Sequence, residues 1–80
     1  MTESAIRDVL DRHARLVEDA RRIDSASDLY ELGLTSHASV NVMLALEDSF
    51  DIEFPDELLR KSTFESVDAI RRALSSLGAG

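Results

Sequence analysis

Apolar residues recur at three- and four-residue spacing from Ile6 through Val9, Leu10, Leu16, Val17 and Ala20 to Ile23. That period places them on one stripe of an amphipathic helix, with Thr2 or Ser4 as its cap. Over residues 24–35 the pattern changes: Asp24-Ser25-Ala26-Ser27-Asp28 carries turn formers, and Leu29, Tyr30, Leu32 and Leu34 then alternate with polar or small residues. Alternation alone would suit a strand, but one short strand without a partner cannot satisfy its backbone. A long loop pinned to the core is the better reading. The next helix is expected over residues 36–50, capped by Thr35, whose side-chain oxygen can accept from the free N–H groups of the first turn. Inside it Val42, Met43, Leu44, Ala45 and Leu46 are consecutive, and at about 100° per residue they sweep right round the helix. Such a helix is either covered on several sides by its neighbours or keeps an apolar strip for a partner or a tethered group.

Pro55 cannot continue that helix but suits the first turn of a new one, with Asp56 and Glu57 complementing its positive end. A short third helix of one or two turns follows. Ser62 with Glu65 makes a capping-box pattern, and Val67, Ile70, Leu74 and Leu77 form the stripe of a last helix that Gly78 ends. The residues Gly78-Ala79-Gly80 read as a frayed tail. Phe50, Phe54 and Phe64 are expected to pack around the short helix, and Tyr30 to belong to the core. The architecture is all-α: a small four-helix bundle with a long loop between helices 1 and 2 and a short third helix. It is expected to be a single domain over 1–80, with its core at about 3–77 and no repeat or interdomain linker.

Composition narrows the function. Eighty residues that are 44% apolar suffice for one globular core. Such a core is worth only ~3 to 5 kcal/mol at this size, and there is no cysteine to add a disulfide or a thiolate metal site. With no apolar run of spanning length and no recognisable signal peptide, a cytoplasmic protein that does not bind membranes is expected. A net charge of −7 argues against nucleic-acid binding and for basic partner surfaces. A monomer is expected.

The chemistry centres on Ser36. It falls at the first position of the second helix, where its hydroxyl is exposed and where free N–H groups and the positive end of the helix dipole favour an attached anionic phosphate. The adjacent His37 projects about 100° away and is poorly placed as that serine's base. No Gly-x-Ser-x-Gly elbow or orienting third residue is visible, which argues against a small hydrolase. His37 is read as facing solvent or a partner, and His13 as sitting at the core margin of the first helix. Two histidines without cysteines argue against zinc. The acids between Asp51 and Glu57 lack the spacing of a calcium loop and are interrupted by Pro55.

The segment Asp28-Leu29-Tyr30-Glu31-Leu32-Gly33-Leu34-Thr35-Ser36, followed by Met43-Leu44-Ala45-Leu46-Glu47-Asp48-Ser49-Phe50-Asp51-Ile52-Glu53-Phe54-Pro55-Asp56, resembles the acyl carrier protein family over nearly the whole chain. The resemblance implies a carrier and not an enzyme. It implies that a phosphopantetheinyl transferase attaches 4′-phosphopantetheine from coenzyme A to Ser36, and that the thiol of the arm holds cargo as a thioester. Thr35, His37, Ala38, Asn41, Val42 and Glu57 are then the expected contacts for modifying and loading enzymes.

Two departures refine this. The family's usual Asp-Ser-Leu is here Thr35-Ser36-His37, which keeps a cap and loses a carboxylate. Between Thr35 and Leu46 there is no acid at all, while Glu47, Asp48, Asp51, Glu53, Asp56 and Glu57 gather beyond. Steering by basic enzymes is weakened or shifted, which argues against a housekeeping role in fatty-acid synthesis. The run Ala38-Ser39-Val40, with residues 50–56 and Leu58-Leu59, resembles the small stand-alone aminoacyl carrier proteins. That likeness implies a small amino acid as cargo, loaded by an ATP-dependent amino acid:carrier-protein ligase resembling the core of a seryl-tRNA synthetase. The alternatives are a carrier for a fatty-acid, polyketide or other acyl pathway, and an unmodified acidic helical interaction module.

Overall fold

A computed structural model describes residues 2–79. Three α-helices, α1 (Thr2–His13), α2 (Ser36–Phe50) and α3 (Val67–Ser76), surround one core, and two 3-10 turns, η1 (Asp56–Leu58) and η2 (Lys61–Phe64), connect α2 to α3. No strand occurs among the described residues. α1 packs on both α2 and α3, and α3 also packs on η2. Ile6 and Leu10 of α1, Leu29 of the long loop, Val42 and Leu46 of α2, and Val67, Ile70 and Leu74 of α3 are fully buried at the centre.

The first helix is shorter than its apolar spacing predicts. α1 stops at His13, and residues 14–35 form the loop. Ala14 N–H still donates to the Leu10 carbonyl, but Val17 N–H donates to Leu32 across the loop, at 2.8 Å. That long-range bond replaces helix continuation and turns Val17 outward to 78% exposure. Ala20 and Ile23 do enter the core, delivered by a turn in which Arg22 and Ile23 donate to the Asp19 carbonyl. His13, placed by the sequence at the core margin, is exposed because the helix ends there. Ser4 lies within α1, which begins at Thr2.

Side-chain and backbone bonds hold the long loop in place. Arg7 Nη1 donates to the carbonyls of Ala20 and Ile23 at 2.9 and 2.8 Å, and its Nη2 donates to Ser25 Oγ at 3.1 Å. Leu29 N–H donates to Glu65 and Asp68 N–H to Ser25, tying the loop to the start of α3. Leu29 and Leu34 are buried, as the alternation requires. Gly33 has φ of +113°, and a Cβ there would lie 3.1 Å from the Arg15 carbonyl oxygen, so both backbone conformation and space call for glycine.

α2 has the predicted bounds, and its C-cap, Asp51, is left-handed with φ of 54°. The expected third helix is instead the pair η1 and η2. Pro55 is extended and caps η1 from outside, Leu59 leaves helical angles, and Arg60 is extended again, so neither turn propagates. Phe54 and Phe64, 5.5 Å apart edge to face, anchor the segment at both ends. Phe50 is half-buried beside this core.

The cap of α3 is Ser66, whose Oγ accepts from Ala69 N–H at 3.0 Å. Ser62 lies exposed in η2, so the Ser62–Glu65 capping box does not form. Beyond α3, Gly78 is left-handed, Gly78 N–H donates to Ser75 and Ala79 N–H to Leu74, the paired bonds of a Schellman ending. Ala79 packs on the core and is not frayed; Gly80 lies outside the described residues.

Candidate functional site

The local chain around Ser36 is set by the cap before it. Thr35 is extended, with φ of −99° and ψ of 164°, and its Oγ1 accepts from Ala38 N–H at 3.0 Å. Helical bonding begins at once, with Ser39 N–H donating to the Thr35 carbonyl at 2.9 Å. Ser36 therefore occupies the first helical position, and its side chain is exposed. Ser39 Oγ donates to the Ser36 carbonyl at 2.7 Å, stiffening the same turn. His37 is exposed on the neighbouring face.

A groove of about 400 Å³ opens beside Ser36. One wall is α2, through Ser36, Ser39, Val40 and Met43; the other is formed by Tyr30 and by Leu59, Arg60, Lys61 and Phe64. Tyr30 Oη donates to the Lys61 carbonyl at 3.3 Å, while the Lys61 ammonium stands 4.7 Å from the centre of the Tyr30 ring. The two residues brace the long loop against η2. Burial pushes the Tyr30 phenol above its ordinary pKa; the neighbouring Ser39 hydroxyl opposes this, and the charges of Asp28 and Glu65 add to it.

This arrangement suits a tethered phosphate ester. An exposed hydroxyl lies at the amino end of a fifteen-residue helix, no acid stands on the helix's first turn, and cations line the groove alongside. Among the described residues no group of three or more His, Cys, Asp or Glu is placed to hold a metal.

The predicted contact residues separate in space. Thr35, His37 and half-buried Ala38 cluster with Ser36 at the end of α2. Asn41 faces a different groove, shared with Val9, His13, Leu44 and Asp48. Glu57 lies with Ser62, Thr63 and Glu65 in a third. Val42 is fully buried and is therefore no partner contact; with Leu46 it is a core-facing member of the apolar run. Sequence reasoning missed Tyr30, Lys61 and Leu59 as groove residues. Only the surplus of apolar positions in 42–46, which leaves Met43 on an uncovered flank, hinted that a groove would be there.

A short helical scaffold offering an exposed serine hydroxyl beside a mixed apolar and cationic groove suits a carrier domain. Comparison with known proteins agrees. The family described as the phosphopantetheine attachment site matches residues 4–74. The aminoacyl carrier protein of Agrobacterium fabrum is 45% identical over 67 residues, covering 84% of this chain and 81% of the relative. Aminoacyl carrier protein 2 of Bradyrhizobium diazoefficiens is 33% identical over 78 residues, covering 96% and 83% respectively. Among solved structures, a chain in the crystal structure of an engineered Bradyrhizobium japonicum glycine:[carrier protein] ligase complexed with carrier protein from Agrobacterium tumefaciens and ATP superposes with a TM-score of 0.91. It shares 39% identity, with 95% of this chain and 99% of that chain covered. The protein belongs to the phosphopantetheine-attachment family and, within it, to the aminoacyl carrier proteins. It is a substrate-carrying domain and not a catalyst, and its prosthetic group is 4′-phosphopantetheine.

Proposed function

We propose that Ser36 is the residue that bears 4′-phosphopantetheine and that the arm carries a small amino acid as a thioester. When bound, the group supplies a mobile thiol. The chain's own contribution is presentation: Thr35 fixes the start of α2, the first turn offers N–H groups to the phosphate, and Ser36 stands clear of the core. The loading enzyme is proposed to be an ATP-dependent amino acid:carrier-protein ligase, and the modifying enzyme a phosphopantetheinyl transferase. The observation that carries this is the superposition, over 95% of the chain, on a structure of a glycine:[carrier protein] ligase with a carrier protein.

The chain acts as a single domain over 1–80, a cytoplasmic monomer, with η1 and η2 standing where a short third helix completes a four-helix bundle. No helix among the described residues is long and apolar enough to cross a membrane. Thr35, His37 and Ala38 are proposed as contacts for the transferase and ligase because they surround the hydroxyl; Asn41 and Glu57 stand further off as docking contacts.

The test is intact mass after incubation with coenzyme A and a broad-specificity phosphopantetheinyl transferase. Wild type is expected to gain one phosphopantetheine and Ser36→Ala none, with unchanged circular dichroism. Loading trials of the modified protein with glycine, alanine and acyl donors then separate aminoacyl from acyl cargo. A folded wild type that gains no mass beside an active transferase control would leave two readings, a carrier that needs its own transferase because of Thr35 and His37, or the unmodified interaction module.

A further inference from the structure

Eight of the nine Lys and Arg side chains are arginine, and Lys61 is the one lysine. The difference is chemical. A guanidinium stays protonated at any ordinary pH, whereas a lysine amine can lose its proton and become a nucleophile toward carbonyl carbon. Lys61 is therefore the sole side-chain amine that can compete for an acyl group carried by this chain. Its position brings it to that group: Lys61 and Ser36 border the same concavity, Lys61 is exposed, and among the described residues it forms no ion pair with a carboxylate. Its ammonium stands 4.7 Å from the centre of the Tyr30 ring, a contact that favours the charged over the neutral amine.

A thioester tethered at Ser36 meets this amine at the effective concentration of a short flexible link, on the order of millimolar. Resting on attachment at Ser36 and on thioester cargo, we propose that Lys61 is a self-acylation site, where cargo passes from the arm to Nζ. The lone pair of the neutral amine adds to the thioester carbonyl carbon. The C–S bond then breaks as the C–N bond forms, and the arm leaves as a thiolate that takes up the proton released by nitrogen. The products are an amide at Lys61 and a free arm thiol, ready to be loaded again. His37, beside Ser36, differs in outcome, because water cleaves an acyl-imidazole and no lasting adduct forms there. Tyr30 restrains the transfer by holding Nζ as the ammonium. Acylation removes that charge from the ring and so loosens the brace between the long loop and η2.

The experiment installs acetyl-phosphopantetheine with acetyl-coenzyme A and a broad-specificity transferase, verifies a single addition by mass, and removes free acetyl-coenzyme A by desalting. Aged samples are treated with hydroxylamine, which cleaves thioesters and spares amides, and residual acetyl is located by peptide mapping. Wild type is expected to retain an acetyl group on the Lys61 peptide, formed at a rate independent of protein concentration. That rate should rise about 10-fold from about pH 7.5 to about pH 8.5, because the amine fraction grows so below its pKa. Lys61→Arg should retain no acetyl, and Tyr30→Leu should form the amide about 2- to 5-fold faster, the range for an exposed cation–π contact. Circular dichroism checks the fold of both variants. Loaded wild type that keeps no acetyl after hydroxylamine, keeps it on another amine, or gains it in proportion to protein concentration overturns self-acylation alone. An unchanged rate in Tyr30→Leu overturns the restraint by the ring. A chain that accepts no arm overturns the attachment reading, and self-acylation falls with it.

Discussion

At the scale of single residues, Thr35 does the most for the site with the fewest atoms. Its Oγ1 satisfies Ala38 N–H at 3.0 Å, so Thr35→Ala should cost about 1 kcal/mol of stability, while Thr35→Asp should retain most of it. Urea titration of the three proteins compares them directly; equal midpoints for wild type and Thr35→Ala would refute the cap. Tyr30 gives a pH test. Its phenol is raised above the ordinary value near 10, first by burial and despite the neighbouring Ser39 hydroxyl. The neutral phenol is thus favoured by the folded state, so its contribution is fully present below the ordinary pKa and lost as pH rises through the raised one. Wild type should lose more stability than Tyr30→Phe as pH rises above about 10. Parallel pH profiles for the two proteins would remove Tyr30 as the cause.

At the scale of elements, a part-buried cation adds much to what holds the long loop. Arg7, whose side chain is 14% exposed, donates to two loop carbonyls and to Ser25. Hydrogen bonds from a charged donor are worth about 1.5 to 3 kcal/mol, so Arg7→Met should destabilise on that order. Amide exchange should quicken in residues 20–25 more than in α2. Gly33→Ala should cost about 1 to 3 kcal/mol, because φ of +113° is strained for alanine and its Cβ meets the Arg15 carbonyl; an unchanged urea midpoint would contradict that. These same contacts explain what the sequence could reveal. The cap, bounds and exposed serine of α2 are local properties and were legible, as was the Val67–Ile70–Leu74 stripe of α3. The end of α1 was not, because Leu16, Val17, Ala20 and Ile23 keep a helical spacing while the Val17–Leu32 bond redirects the chain. The groove was hidden for a related reason. It arises where Tyr30 meets Lys61, thirty-one residues apart, and no local pattern encodes that meeting.

For the whole molecule, the question is how an acidic protein with a neutral-to-basic reactive corner meets its enzymes. The net charge of −7 sets a long-range field, but the acids of α2 are confined to its last turn, at Glu47 and Asp48, and Lys61 and Arg60 border Ser36. Strong steering, worth 10-fold or more in association rate, requires complementary charge on the docking patch itself. At physiological salt the Debye length is about 8 Å, so acids beyond the far end of α2, which spans about 22 Å at 1.5 Å per residue, are largely screened from an enzyme engaged at Ser36. Loading efficiency, kcat/KM for the modified protein with its ligase, should therefore fall less than about 3-fold between roughly 0.1 and 0.3 M salt, where the Debye length stays well below that span, compared with the steep dependence of steered pairs. Reversing Asp48 and Glu53, both exposed, to lysine should change it little, whereas Val40→Asp, at the reactive corner, should lower it markedly. A 10-fold or greater salt effect that disappears in the Asp48, Glu53 variant would show that the remote acids guide docking after all, and would place the enzyme's footprint along the full length of α2.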